Sequence, residues 1–303
     1  MRWKMLTTGI VILNYNDSET VISLLRKITL FTSINHIVVV DNCSTDNSFE
    51  KLKGFESNKC NILKTKFNGG YAYGNNFGAK YLINRYKPEL ILIANPDIDI
   101  EENFIIGILE TFKHNQQYAL LSGVVLDKNG NVTNSYINTP SYMSDLGSCT
   151  IFYRILNRFR SSNKVNYDME ILKVDIPIGS FFAIRTSVLK EINFMDEGTF
   201  LFYEENILAT KLKSHGYYAG IITGLSYIHM HSTTIRKTLK TLQTHKIHLN
   251  SKYYFQTNYR DINKFQKILL KSAMRYSMLE TMVLTPFKNF IKIWIISKYK
   301  RLY

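Results

Sequence analysis

Four groups of residues in this sequence combine types and spacings that can do chemistry. Asn95-Pro96-Asp97 closes an apolar stretch at residues 90–94. An aspartate there offers a hard oxygen to a divalent cation, which commonly keeps phosphate oxygens in its shell. The same tripeptide also makes an Asx-Pro turn, with Asp99 and Glu101 as ordinary acids at a helix start. Glu204-Glu205 follows Phe200-Leu201-Phe202-Tyr203 at the mouth of a helix. A partly desolvated carboxylate in such a place can serve as a general base, while acids in a first helical turn also favour its dipole. The glycine-rich run Asn68-Gly69-Gly70-Tyr71-Ala72-Tyr73-Gly74-Asn75-Asn76 opens a helix. Such a turn lets backbone N–H groups approach a phosphate, or simply turns tightly, and it matches neither the P-loop nor the dinucleotide fingerprint. His229 and His231 stand two apart, which puts them on one face if that stretch is extended, and can ligate a metal or a diphosphate, or lie on the surface. His245 and His248 fall in a basic helical region and read as solvated.

The elements that must position these groups alternate. Short apolar runs at residues 9–13, 36–40, 61–65, 89–94 and 119–125 read as strands, and residues 9–13 run into polar Asn14-Tyr15-Asn16 too soon for a signal peptide. Helical patterns stand between them, from Asp17 or Ser18, near 47–53, at 73–85 and at 101–114. This is the pattern of an α/β domain with a mostly parallel sheet covered by helices, in which ligands bind at the carboxyl ends of the strands. Three runs end in polar residues, namely Asn14-Tyr15-Asn16, Asp41-Asn42-Cys43-Ser44 and Asn95-Pro96-Asp97. Residues 127–175, rich in Ser, Asn, Tyr and Thr, read as long loops. Order returns with an apolar run at 179–184, a helix start at Thr186 and a helix from Glu204 ending near Gly216.

Charge divides the chain. The net charge is +14, yet residues 232–303 hold 15 Lys and Arg against Asp261 and Glu280, leaving about +1 for the first 231. A nearly neutral globular body at 1–231 and a basic helical segment at 232–303 follow as the domain reading. Phe287, Phe290, Ile291 and Trp294 recur at helical spacing beside Lys288 and Lys292, which suits an anionic membrane surface, packing on the body, or a second copy in a homodimer. No nucleic-acid motif accompanies the basic residues. Cys43, Cys60 and Cys149 are too few and too far apart for a disulfide framework or a zinc site, which points to a reducing cytoplasm. No uncharged run reaches the ~20 residues of a membrane span.

Taken in order, Val11-Ile12-Leu13-Asn14-Tyr15-Asn16, Val38-Val39-Val40-Asp41-Asn42-Cys43-Ser44-Thr45-Asp46, the glycine-rich run, Asn95-Pro96-Asp97, Gly179-Ser180-Phe181-Phe182, and Phe194-Met195-Asp196-Glu197 through Tyr203-Glu204-Glu205 resemble the inverting glycosyltransferases of family 2. The likeness covers residues 7–232 and is nearest the rhamnosyltransferase-like branch of O-antigen and capsule synthesis. It implies a GT-A fold, that is, a Rossmann-like, mostly parallel sheet with flanking helices. It implies a nucleotide-sugar donor (dTDP-rhamnose, or a UDP-sugar as alternative) bound by Asn14, Tyr15, Asn16, Asp41, Asn42, Ser44, Gly69, Gly70, Asn75 and Asn95. Asp97, with His231, would hold Mg²⁺ or Mn²⁺, and Glu205, or its neighbour Glu204, would be the base where the family has a Glu-Asp pair. The implied acceptor is a polyprenyl-diphosphate-linked glycan at the inner face of a bacterial cell membrane. A membrane-associated scaffold of the same fold without turnover is the reading from another class.

Overall fold

In this computed structural model of the 303-residue chain the described residues are 6–158, 168–230 and 241–299, with the side chains of the last helix described as far as Leu284. The strands are β1 (Thr8–Asn14), β2 (His36–Asp41), β3 (Cys60–Lys64), β4 (Leu90–Ala94), β5 (Ile98–Asp99), β6 (Tyr118–Leu126), β7 (Tyr136–Ile137), β8 (Ile171–Val174), β9 (Ile176–Pro177), β10 (Phe181–Arg185) and β11 (Tyr218–His229). The helices are α1 (Ser18–Ile28), α2 (Ser48–Lys53), α3 (Tyr71–Tyr86), α4 (Glu102–His114), α5 (Tyr142–Ser148), α6 (Ile151–Arg158), α7 (Thr186–Glu191), α8 (Glu204–Ser214), α9 (Thr241–Asn258) and α10 (Lys264–Tyr299). They form two compact units, Met1–Thr139 with Ser162–Ile235, and Pro140–Ser161 with Arg236–Tyr303.

The first unit is built on a nine-stranded sheet in the order β3-β2-β1-β4-β10-β6-β11-β5, with β8 pairing to β11. The central strands are apolar throughout because both faces are covered. Alternate residues go to opposite sides: Ile10, Ile12, Ile37 and Val39 meet α1 and α4, while Val11, Val38 and Val40 meet α3. Helix α3 comes unusually close to the sheet. A Cβ on Gly78 would stand 2.6 Å from Val11, and one on Gly74 would stand 2.2 Å from Leu13.

Sheet direction decides which residues share an edge. β1, β2 and β4 are parallel, with Asn14 opposite Asp41 and Ile12 opposite Ala94. β10 runs antiparallel to β4, pairing Phe181 with Ala94. Its leading residues, Gly179 and Ser180, therefore arrive at the edge where the parallel strands end. β11, parallel to β6, finishes there too and pairs His229 with Ile98 of β5, one residue beyond Asp97.

The expected strands and helices of the first half are all present, displaced by a residue or two. Residues 127–175, expected as loops, contain α5 and α6, which with α9 and α10 make up the second unit. That unit has a small apolar core including Cys149, Leu249, Phe255 and Leu270. It also buries charge: Lys252 donates to the Asp145 carbonyl at 3.1 Å and to the Ser148 hydroxyl, and Gln256 donates to Asp145 Oδ2 at 2.7 Å. The expectation that His245 and His248 are solvated is corrected here. His245 Nε2 lies 3.0 Å from Ser277 Oγ, and burial pushes the His248 imidazole down to about 4.

Lys252 Nζ also stands 3.9 Å from Asp145 Oδ1 with both side chains buried, and removing one partner of a buried ion pair strands the other, so Asp145→Ala should cost about 3–5 kcal/mol. Urea unfolding measures this, and a loss no larger than that of an exposed pair would contradict the assignment.

Candidate functional site

Strand ends, two helix starts and one loop build the site. At the end of β1, Asn14 Nδ2 donates to Asp41 Oδ1 at 2.8 Å and to Ser44 Oγ at 3.1 Å, while Asp41 Oδ2 accepts from the Ser44 N–H at 3.1 Å. Asn16 joins the cluster, its N–H donating to Ser44 Oγ at 2.9 Å and its Oδ1 accepting from the Thr45 N–H at 2.8 Å. Asp41 is fully buried, so its charge is carried by these donors. Tyr15 is half-buried between Asn14 and Asn16.

Asn42 does a different job. Its amide donates to Asn68 Oδ1 and to the Gly70 carbonyl, and its Oδ1 accepts from Thr65, bracing the glycine-rich turn. Gly70 has φ +91°, and a Cβ on it would stand 2.1 Å from the Phe200 carbonyl oxygen, which accepts the Tyr71 N–H at 2.9 Å. Glycine is required at this position on both counts. Gly69 lies under the Tyr73 ring, and Asn75 is buried in α3, donating to the Tyr71 carbonyl at 3.1 Å.

The contact at Phe200 brings the turn to the acidic pair. Phe202 and Tyr203 both have left-handed backbone, φ +73° and +71°, which costs about 1–2 kcal/mol for each such residue. This strained pair turns the chain into α8 with Glu204 and Glu205 as its first residues. Glu205 Oε1 accepts the Gly179 N–H at 3.1 Å, and a Cβ on residue 179 would stand 2.3 Å from that oxygen. The Gly179 carbonyl in turn accepts the Tyr71 hydroxyl at 2.7 Å. Glu204 is 4% exposed, and its Oε1 has no hydrogen-bond partner among the described residues. Burial pushes both carboxyls up; for Glu204, burial and then the neighbouring Glu205 raise it to about 8.

Asp97 and His229 stand along the same edge, Asp97 Oδ2 3.3 Å from His229 Nε2, with Asp97 only 9% exposed. Asn95 is half-buried and held by its N–H on the Ser180 carbonyl at 2.8 Å. An oxygen and an imidazole nitrogen converging in this way suit Mg²⁺ or Mn²⁺. No group of three metal-binding side chains occurs among the described residues, so other positions around an ion would be filled by ligand oxygens or water. His231, the histidine expected beside Asp97, lies outside the described residues; within them the neighbour is His229.

Sequence reasoning gave no role to Tyr71 or to Tyr227, whose hydroxyl lies 2.7 Å from Ser180 Oγ. Both meet partners far along the chain, and no local spacing announces such contacts.

The model of the family described as glycosyl transferase family 2 matches residues 9–193. The low-salt glycan biosynthesis hexosyltransferase Agl10 of Haloferax volcanii is 28% identical over 197 residues, covering 65% of this chain and 58% of that protein. The chain thus matches less than two-thirds of this relative's length. Among solved structures, GalNAc-T7 with UDP, GalNAc and Mn²⁺ is 14% identical with a TM-score of 0.60, over 93% of this chain and 57% of that one. The mannosyltransferase PcManGT from Pyrobaculum calidifontis, in complex with GDP-Man and Mn²⁺, is 13% identical with a TM-score of 0.56, over 99% and 82%. At such identities the likeness is one of fold, and that fold is GT-A.

A carboxyl raised by folding destabilises the native state once it must ionise, so stability is lost as pH rises from 4.5 through about 8 for Glu204. Glu204→Gln should therefore stabilise the protein over that window and make no difference below it. Thermal unfolding across pH checks this, and a constant offset at every pH would refute it.

Proposed function

The chain belongs to glycosyl transferase family 2, and from that premise we propose that it transfers a sugar from a nucleotide-sugar donor to a hydroxyl of a growing glycan, with inversion at the anomeric carbon. The observation that carries the reading is Glu205, fixed by the Gly179 N–H at the edge that also bears Asp97 and His229. Asn14, Tyr15, Asn16, Asp41 and Ser44 form the nucleoside end of the donor site. Gly69, Gly70 and Asn75 line its diphosphate side with Asn95, and Asn42 keeps the turn in place.

Asp97 would hold Mg²⁺ or Mn²⁺ with His229 and with His231, and such an ion would supply positive charge to offset the charge developing on the leaving group. Glu205 takes the proton of the acceptor hydroxyl as the oxygen forms its bond to the anomeric carbon from the opposite face. The bond from that carbon to the diphosphate oxygen breaks, and its electron pair leaves with the nucleoside diphosphate. Burial supports this role, because a raised carboxyl keeps a captured proton more readily than a solvated one.

For the donor we propose dTDP-rhamnose, on the resemblance of the motifs. A UDP-hexose is the second reading, favoured by the hexosyltransferase relative. The acceptor is a glycan carried on a polyprenyl diphosphate, and the basic C-terminal segment meets the anionic membrane that holds it. No helix of the described residues is long and apolar enough to cross a membrane, which agrees with a surface contact.

The test is thermal stabilisation by dTDP-rhamnose, UDP-sugars and GDP-sugars, with and without Mn²⁺. One nucleotide should stabilise only with metal, and Asp97→Ala should abolish that shift. Glu205→Gln should keep the shift and lose about 10²–10⁴ in turnover. Turnover unchanged in Glu205→Gln would move the base elsewhere, and no shift with any donor would favour a scaffold without turnover.

A further inference from the structure

The second unit carries a surface that the donor site does not use. On α10 exposed Phe265, Ile268, Leu269, Tyr276, Leu279 and Val283 recur at the three-and-four spacing of one helical face, with exposed Met282 at its margin. Phe265 is 72% exposed and Leu279 63%. The opposite face bears Leu270 and Ser277, both fully buried, so packing inside the unit sets the helix's rotation. Helix α6 repeats the pattern with exposed Phe152, Ile155 and Leu156. Glu280 ties the two helices together, accepting the Ile151 N–H at 3.0 Å and pairing with Arg154.

Charge on these helices is one-sided. Lys264, Lys271 and Arg275 are exposed beside the apolar stripe. Glu280 is the lone acid between residues 264 and 284, and its side chain is 7% exposed and paired. The outward face is thus apolar and cationic, with no exposed carboxylate.

We propose that this face of α6 and α10 lies in the headgroup boundary of an anionic bilayer, its apolar side chains reaching into the acyl region. The inference names the surface for the membrane contact of the proposed function and rests on that reading. From 265 to 283 the stripe runs about 27 Å at 1.5 Å per residue, a length suited to lying in the membrane plane. A second copy would bring its own cations to this face and no acid to meet them, whereas anionic lipid supplies the missing charge.

Co-sedimentation of the full chain with phosphatidylglycerol-containing vesicles, against phosphatidylcholine alone, tests the proposal. The wild type should prefer the anionic vesicles, and that preference should weaken with salt. Phe265→Glu with Leu279→Glu should reduce partitioning by at least about ten-fold, because two large apolar side chains no longer enter the bilayer and two charges face it instead. Phe265→Leu with Leu279→Ile should keep it. Circular dichroism and the donor-induced thermal shift, read on the same proteins, separate misfolding and failure of the donor reading from failure of this surface. Three results would overturn the proposal: no anionic preference in the wild type, unchanged partitioning of the Phe265/Leu279 glutamate variant, or a wild-type dimer that Leu279→Glu converts to monomer.

Discussion

Glu205 can reach its place because residue 179 has no side chain. Its carboxylate oxygen occupies space that a Cβ there would invade, and the peptide it meets is held from the other side by the Tyr71 hydroxyl. Tyr71 is the first residue of α3 and is itself bound through its N–H to Phe200, just ahead of the acidic pair. The starts of β10, α3 and α8 therefore close a ring of contacts in which each fixes the next. Left-handed backbone at Phe202 and Tyr203 is tolerable within such a ring, because the surrounding hydrogen bonds over-determine the conformation.

The mixed direction of the sheet makes this ring possible. In an all-parallel sheet only carboxyl ends of strands reach the binding edge, and each supplies the residues that follow it. Inserting β10 antiparallel between β4 and β6 delivers the residues that precede a strand to the same edge. Gly179 and Ser180 thereby stand beside Asn95, whose N–H is bound to the Ser180 carbonyl. The long β11 closes the opposite flank and sets His229 beside Asp97 through its pairing with β5.

What could be read from the sequence follows the same physics. β1, β2 and β4 are buried on both faces, so their runs are uninterrupted and obvious. β11 is just as central to the sheet, yet Gly220, Thr223, Gly224 and Ser226 break its pattern around an irregularity in its pairing with β6, and no strand was expected there. Helices α5 and α6 hid within a polar stretch because what holds α5, Asp145 with Lys252 and Gln256, joins residues more than a hundred positions apart. Asp97, the glycine-rich turn and the paired glutamates could be named as candidates because their residue types suit the chemistry. Tyr71 and Tyr227 were not, since a tyrosine is ordinary until the fold gives it a partner.

The two glutamates illustrate why residue type alone does not assign a role. Both are acids in a first helical turn, and burial raises both. Glu205 is half-buried with a backbone N–H on its carboxylate, which supports the charged form, whereas Glu204 is almost fully enclosed with an oxygen left unpartnered among the described residues. Environments that differ in this way push the two acidities apart, which is how a pair of like groups comes to divide its labour. Burial and then the neighbouring Glu205 raise Glu204 to about 8, so of the two it holds its proton against the repulsion of a second charge one residue away. On the proposed reaction the base is then Glu205, whose carboxylate meets the Gly179 N–H. Glu204 would act by staying neutral, held there by its burial and by the Glu205 carboxylate beside it.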